Sequence, residues 1–183
     1  MFNYLFGFSV TIICYAANCI PLLIQQNIDG SDFFNRSWEE FKVGFNDTRG
    51  NYWLGNELLH QLTYNGNYKL RFDLQILNGS WYYAEYSSFI VFSEAQKYRM
   101  QVSGYTGNAG NGLKDHDGAP FTTYDRDNDY HGRNCAAENG GGFWYTACSH
   151  ANVNTVRGRG NDFKWFTRIS YIYLRSTRMW LMC

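Results

Sequence analysis

Asp125, Asp127 and Asp129 alternate along a segment that runs into Cys135, and Cys148 follows after the glycine- and aromatic-rich stretch Gly140 to Tyr145. Alternate carboxylates on an extended or turning backbone bring their oxygens toward one point. A hard cation such as calcium takes roughly six to eight oxygen ligands and accepts backbone carbonyls among them. An EF-hand is excluded, because its sixth position needs Gly and its twelfth a bidentate Glu, and these positions hold Tyr130 and Ala136. The competing reading is a solvated acidic turn with Arg126 and Arg133 as partial counterions. Cys135 and Cys148 can close a short loop, and a disulfide of that span stabilises by about 3 kcal/mol through lost chain entropy. The segment reads as a calcium site stapled to a disulfide.

Such groups need a scaffold. Ser37 and Glu40 form a capping box that predicts a short helix to about Phe45, and Asn56 is predicted to cap another running through Leu58, Leu59 and Leu62. Tyr68, Leu70, Phe72, Leu74 and Ile76 alternate with Lys69, Arg71, Asp73 and Gln75, the pattern of a half-buried strand. Asn78-Gly79 then turns into a strand over Trp81 to Val91, and Lys97 to Ser103 adds another. From Gly104 onward Gly, Asn and Asp dominate, so order in that half is expected to come from the ion and the disulfide, and the binding surface is expected there. No repeat, low-complexity tract or linker divides the chain, which reads as one domain.

The 183 residues include 45% hydrophobic and 19% aromatic residues and 2 prolines, enough for a substantial core. Formal net charge is +0 with no run of Lys or Arg, so neither nucleic acid nor an anionic membrane is an expected partner. Cys14, Cys19 and Cys183 remain beyond the central pair, and an odd count points to an unpaired thiol or an intermolecular bridge, with Cys183 a candidate for disulfide-linked oligomers. Sequons at Asn35, Asn46 and Asn78 fit an extracellular glycoprotein. No charged residue precedes Asp29, and most of Phe2 to Ile13 is apolar. Residues 1–23 are read as a signal peptide with Cys14-Tyr15-Ala16 near its cleavage site. The alternatives are a membrane anchor, which Asn18 and Pro21 would interrupt, or a chain whose true beginning lies upstream. His60, His116, His131 and His150 show neither zinc spacing nor a nucleophile motif, so catalysis is not expected.

Asp127-Asn128-Asp129, Asn134-Cys135-Ala136, Trp144-Tyr145, Cys148, Asn152 and Asn154 follow the order seen in the C-terminal part of a fibrinogen-like domain. Asp29-Gly30-Ser31, Phe34 to Trp38, Tyr52 to Glu57, Ala84-Glu85-Tyr86 and Gly104 to Gly110 add matches upstream. From about Ile24 to Met179 the chain therefore resembles the fibrinogen-like domain family, with 24–183 read as a partial domain. The resemblance implies an α+β fold: a twisted, mainly antiparallel sheet with short helices and a loop-rich, calcium-binding C-terminal half. It implies Ca2+ held by the carboxylates of Asp127 and Asp129 and the backbone carbonyls of His131 and Arg133, beside a Cys135–Cys148 disulfide.

The resemblance also implies a recognition pocket next to the ion, whose positions here are Asn139, Trp144, Tyr145, Ser149 and His150. In ficolin-like and tachylectin-like relatives it accepts acetyl groups, which need an aromatic-lined slot and a donor for the carbonyl. Asn139 stands where acetyl binders often carry Tyr, and Ser149 where His often follows the second cysteine. Trp144 and Tyr145 also fit plain core packing. A fibrin polymerisation pocket needs Asp at the first of those positions and His at the second, and is not expected. The implied function is a secreted, calcium-dependent, lectin-like module of innate-immune type that binds acetylated sugars. The alternatives are a protein-binding ligand of the angiopoietin or tenascin kind that docks a receptor, and an incomplete, divergent domain.

Overall fold

The structure, a computed structural model, describes residues 20–158 and 163–183. The leader or anchor expected over residues 1–23 lies outside them up to residue 19, as do Cys14 and Cys19.

The capping box forms as predicted: Ser37 N donates to the Glu40 carboxylate at 2.9 Å, and Glu40 N donates to Ser37 Oγ at 3.4 Å. It opens helix α1, Trp38–Val43, which buries Trp38 and Phe41. The helix stops short of Phe45 at Gly44, and the short strands β2, Phe45–Asn46, and β3, Tyr52–Trp53, follow. Helix α2 is Asn56–Thr63, but its cap is Gly55; Asn56 lies inside the first turn with its side chain buried. The alternating stretch becomes β4, Lys69–Ile76, with Leu70, Phe72 and Leu74 buried, and pairs antiparallel with β5, Trp81–Val91. The next strand, β6, is Met100–Gly107 rather than Lys97 to Ser103. Lys97 and Tyr98 have φ of 59° and 45°, values that close a tight turn and exclude an extended strand.

The largest departure is a pair of strands from the two ends of the described chain, one of them in the half expected to be loop. Strand β1, Leu22–Asn27, and strand β9, Tyr171–Met182, occupy the middle of a sheet ordered β2-β3-β1-β9-β4-β5-β6. All of these pairings are antiparallel. The buried positions of β9, Leu174, Thr177, Met179 and Leu181, break alternation once. The cause is a register shift opposite Gln75 and Ile76, whose partners are Ser176 and Leu174. A period-2 search fails across such a shift. Short strands β7, Ala151–Asn152, and β8, Lys164–Phe166, extend this end as a small antiparallel ladder on β9. Helix α3, Cys135–Asn139, sits between the acidic run and the glycine- and aromatic-rich stretch.

The core is aromatic. Trp53, Phe121 and Trp144 are fully buried and meet one another, with Phe121 and Trp144 edge to face at 5.1 Å. Trp144 Nε1 donates to the Tyr98 carbonyl at 2.7 Å, which satisfies the one polar atom that its burial would otherwise strand. A buried polar network locks the glycine-rich segment to the central strands. Gln25 Nε2 donates to Asn154 Oδ1 at 2.9 Å and to Thr177 Oγ1 at 3.0 Å, and Asn154 Nδ2 donates to the Gly142 carbonyl at 3.0 Å. Gly141 is obligatory here, because a Cβ would lie 1.6 Å from the Asn154 carbonyl oxygen.

Candidate functional site

The acidic loop is built by its own side chains. Asn128 Nδ2 donates to the Phe121 carbonyl at 2.9 Å, and Asn134 Nδ2 donates to the Thr123 carbonyl at 2.9 Å, so two amides close the loop at both ends. Asn134 also caps α3, its Oδ1 accepting Ala137 N at 2.8 Å. Asp129 faces inward from this frame: Oδ1 accepts His131 N at 2.8 Å and Oδ2 accepts Cys135 N at 2.9 Å. Asp127 follows it, with Oδ1 accepting Asp129 N at 3.3 Å.

The three aspartates separate by role. Asp125 Oδ1 accepts Trp38 N at 2.9 Å and Thr123 Oγ1 at 2.7 Å, so it ties the loop to the start of α1. The arginines that a solvated acidic turn would need are engaged elsewhere. Arg126 lies over the Trp38 ring at 4.0 Å and pairs with Glu94 at 3.4 Å, while Arg133 pairs with Glu138 at 3.0 Å. Among the described residues no Lys or Arg forms an ion pair with Asp127 or Asp129. Burial lifts the Asp129 carboxyl above its ordinary value, and the nearby Asp127 carboxylate adds to the lift against the two N–H donors. Two neighbouring carboxylates without a side-chain counterion offer oxygen donors of the kind a hard divalent cation takes. The Arg133 carbonyl lies 3.2 Å from His131 Nδ1. His131, Cys135 and Cys148 also cluster closely, but the two sulfurs are bonded to each other and offer no thiolate to a soft metal. That disulfide joins residues whose Cα atoms are 5.4 Å apart. Cys183 is disulfide-bonded as well, which leaves it no thiol for the interchain link considered above.

The five expected pocket positions fall into two groups. Trp144 and Tyr145 are wholly buried, with Tyr145 Oη donating to the Gly141 carbonyl at 2.7 Å. Asn139 is also buried and donates from Nδ2 to the Cys135 carbonyl at 2.7 Å. These three belong to the core and do not line the cavity that the other two share. Ser149 and His150 line an open cavity of about 470 Å³ beside the disulfide, together with Asp115, Tyr130, Lys164 and Tyr171. Ser149 Oγ is buried and has no hydrogen-bond partner among the described residues. His150 Nδ1 lies 3.0 Å from Asp115 Oδ2, and its ring stacks on Tyr171. Tyr130 carried a signal in its adjacency to the acidic run. Asp115, Lys164 and Tyr171 carried none, because they come from distant sequence, Asp115 from the turn Lys114–His116 and the other two from β8 and β9. The sequon residues Asn35, Asn46 and Asn78 are all exposed. No helix among the described residues is long and apolar enough to cross a membrane.

An antiparallel sheet with few short helices, bearing an acidic loop and a cavity beside a disulfide, defines a fibrinogen-like globe. Residues 14–181 match the family described as fibrinogen beta and gamma chains, C-terminal globular domain, and the chain belongs to it. The match starts upstream of the Ile24 at which the motifs begin. Human ficolin-3 is 42% identical over 134 residues, which are 73% of this chain and 45% of that protein. Human angiopoietin-related protein 2 is 44% identical over 142 residues, 78% of this chain and 29% of that protein. The chain thus spans less than half the length of these relatives. Among solved structures, the fibrinogen-like globe domain of human ANGPTL2 superposes with a TM-score of 0.78 at 39% identity, covering 87% of this chain and 78% of that one. A lamprey fibrin D-dimer in complex with a peptide ligand gives 0.79 at 31% identity, covering 88% and 61%.

Proposed function

We propose that this domain is a secreted, calcium-dependent recognition module whose ligand enters the cavity beside the Cys135–Cys148 disulfide. The observation that carries this reading is the open cavity lined by Tyr130, Ser149, His150 and Tyr171, where the Ser149 hydroxyl has no partner among the described residues and is covered from solvent, so that a side-chain rotation would have to bring it to a ligand. An unpaired donor beside aromatic surface is what an acetyl carbonyl and its methyl require. An acetylated sugar or amine is therefore the favoured ligand class. Asp127 and Asp129, with the carbonyls of His131 and Arg133, would hold Ca2+, which would neutralise the two carboxylates and stiffen the loop that carries Tyr130. Asn35, Asn46 and Asn78 are proposed glycan acceptors.

The test is retention of the folded protein on an N-acetylglucosamine resin in calcium, followed by a chelator wash and, separately, competition with free acetate. Release by both supports the reading. Passage of a cooperatively melting protein straight through the resin would move the assignment to a protein-binding module.

A further inference from the structure

Asp115 lines a second concavity as well, of about 530 Å³, together with Tyr105, Asn111, Lys114, Phe166 and Arg168. Its chemistry differs from that of the first. Lys114 and Arg168 are exposed, and neither forms an ion pair among the described residues. The carboxylate on the lining, Asp115, is held by His150. Asn111 Oδ1 accepts the Tyr86 hydroxyl at 3.0 Å, which leaves the Asn111 amide nitrogen as a donor with no partner among the described residues. Tyr105 and Phe166 are half-buried and present ring surface.

The walls are held rigidly. Thr167 N donates to the Ser170 carbonyl at 2.8 Å and Ser170 N donates to Thr167 Oγ1 at 3.2 Å, closing the turn between β8 and β9 on which Arg168 sits. Arg168 has φ of 91°, a conformation that glycine adopts freely and arginine does not. Gly110 seats the facing loop directly against this turn, since a Cβ there would lie 2.5 Å from Thr167 Cα. A cationic side chain is thus kept at a strained position, on a fixed wall, opposite a second unpaired cation.

We propose that this cleft is a subsite for an anionic sugar, a uronate or sulfated ring. The two cations pair with the carboxylate or sulfate, the Asn111 amide donates to a ring hydroxyl, and the ring surfaces of Tyr105 and Phe166 take the apolar face of the sugar. A sugar fits better than an acidic peptide, because the lining offers flat aromatic surface and donors without an apolar side-chain pocket. With a formal net charge of +0, the chain has no general field for polyanions, so binding has to be local. The cleft uses no residue of the acidic loop and does not depend on the calcium reading.

Calorimetric titration with a heparin-derived hexasaccharide, in chelator and at low salt, tests it. Binding is expected without calcium. A Lys114→Gln and Arg168→Gly double variant should weaken it about tenfold, the combined loss of two exposed charge contacts. Glycine suits the backbone at 168, and single Lys114→Gln alters only an exposed side chain, so at least one variant reports on a folded protein. Unchanged affinity in both charge variants would overturn the proposal, as would no binding by the parent protein. A phosphoserine peptide that binds as tightly with the same dependence on Lys114 and Arg168 would overturn the sugar assignment.

Discussion

His116 Nδ1 donates to the Trp144 carbonyl at 2.7 Å, and its Nε2 accepts the backbone N–H groups of His150 and Ala151, each at 3.1 Å. One buried imidazole therefore joins the aromatic core to the cavity wall. Both donors on Nε2 require that nitrogen to be unprotonated, which defines the neutral tautomer.

This arrangement predicts a pH dependence of stability. Burial lowers the His116 pKa from 6.5 to about 4, against the raising effect of the Trp144 bond. The folded value lies below the unfolded one, so the unfolded state binds the proton more tightly. The stabilisation is complete above pH 6.5 and is lost as pH falls toward 4. The loss reaches about 3 kcal/mol across that window, roughly 1.4 kcal/mol per pH unit. Urea unfolding between those limits should show the slope in the parent protein and a shallower one in His116→Gln. Parallel slopes would remove His116 as the cause.

Asp127 and Asp125 should behave differently although they are two residues apart. Calcium at about one hundred times its Kd should stabilise the parent by about 2.7 kcal/mol, a rise in Tm of several degrees. Asp127→Ala combined with Asp129→Ala should abolish the calcium-dependent rise. An equal rise in that variant, measured by differential scanning calorimetry with and without chelator, would sink the metal assignment.

Asp125→Ala removes the acceptor for Trp38 N and Thr123 Oγ1. The expected cost is about 1 kcal/mol of stability, the usual loss on removing a helix-terminal acceptor. The calcium-dependent increment should persist. Loss of that increment would show that Asp125 acts on the ion.

Ser149 and Trp144 separate binding from folding. Ser149→Ala deletes a buried hydroxyl that has no partner, so Tm should hold or rise slightly while retention on an acetylated resin falls. Trp144→Ala should cost about 3–5 kcal/mol, since it empties the fully buried centre of the aromatic core. A Ser149→Ala protein that keeps full retention would clear the hydroxyl of any ligand role.

Wherever chemistry is local in sequence, the chain announced it. The capping box at Ser37 and Glu40, the alternation from Leu70 to Leu74, the Asn78-Gly79 turn and the Cys135–Cys148 loop each depend on contacts across a few residues. Side-chain type and spacing suffice for such features, and the acidic run beside Cys135 was legible for the same reason. Tertiary structure decided what crosses the chain. Asp125 ties the acidic run to α1 because Trp38, far upstream, presents an N–H to its carboxylate. Trp144 turned inward because Phe121, Trp53 and the Tyr98 carbonyl surround it, and Tyr145 because Phe143, the Gly141 carbonyl and Asn152 meet it. Strand β9 escaped notice because its register shift breaks the alternation that would have revealed it. Asp115, Lys164 and Tyr171 meet at the cavity only because that strand and its hairpin carry residues from the end of the chain back to a disulfide in its middle. A local pattern records what a residue can do, but which neighbours it meets depends on long-range pairing, and no short window of sequence contains both partners.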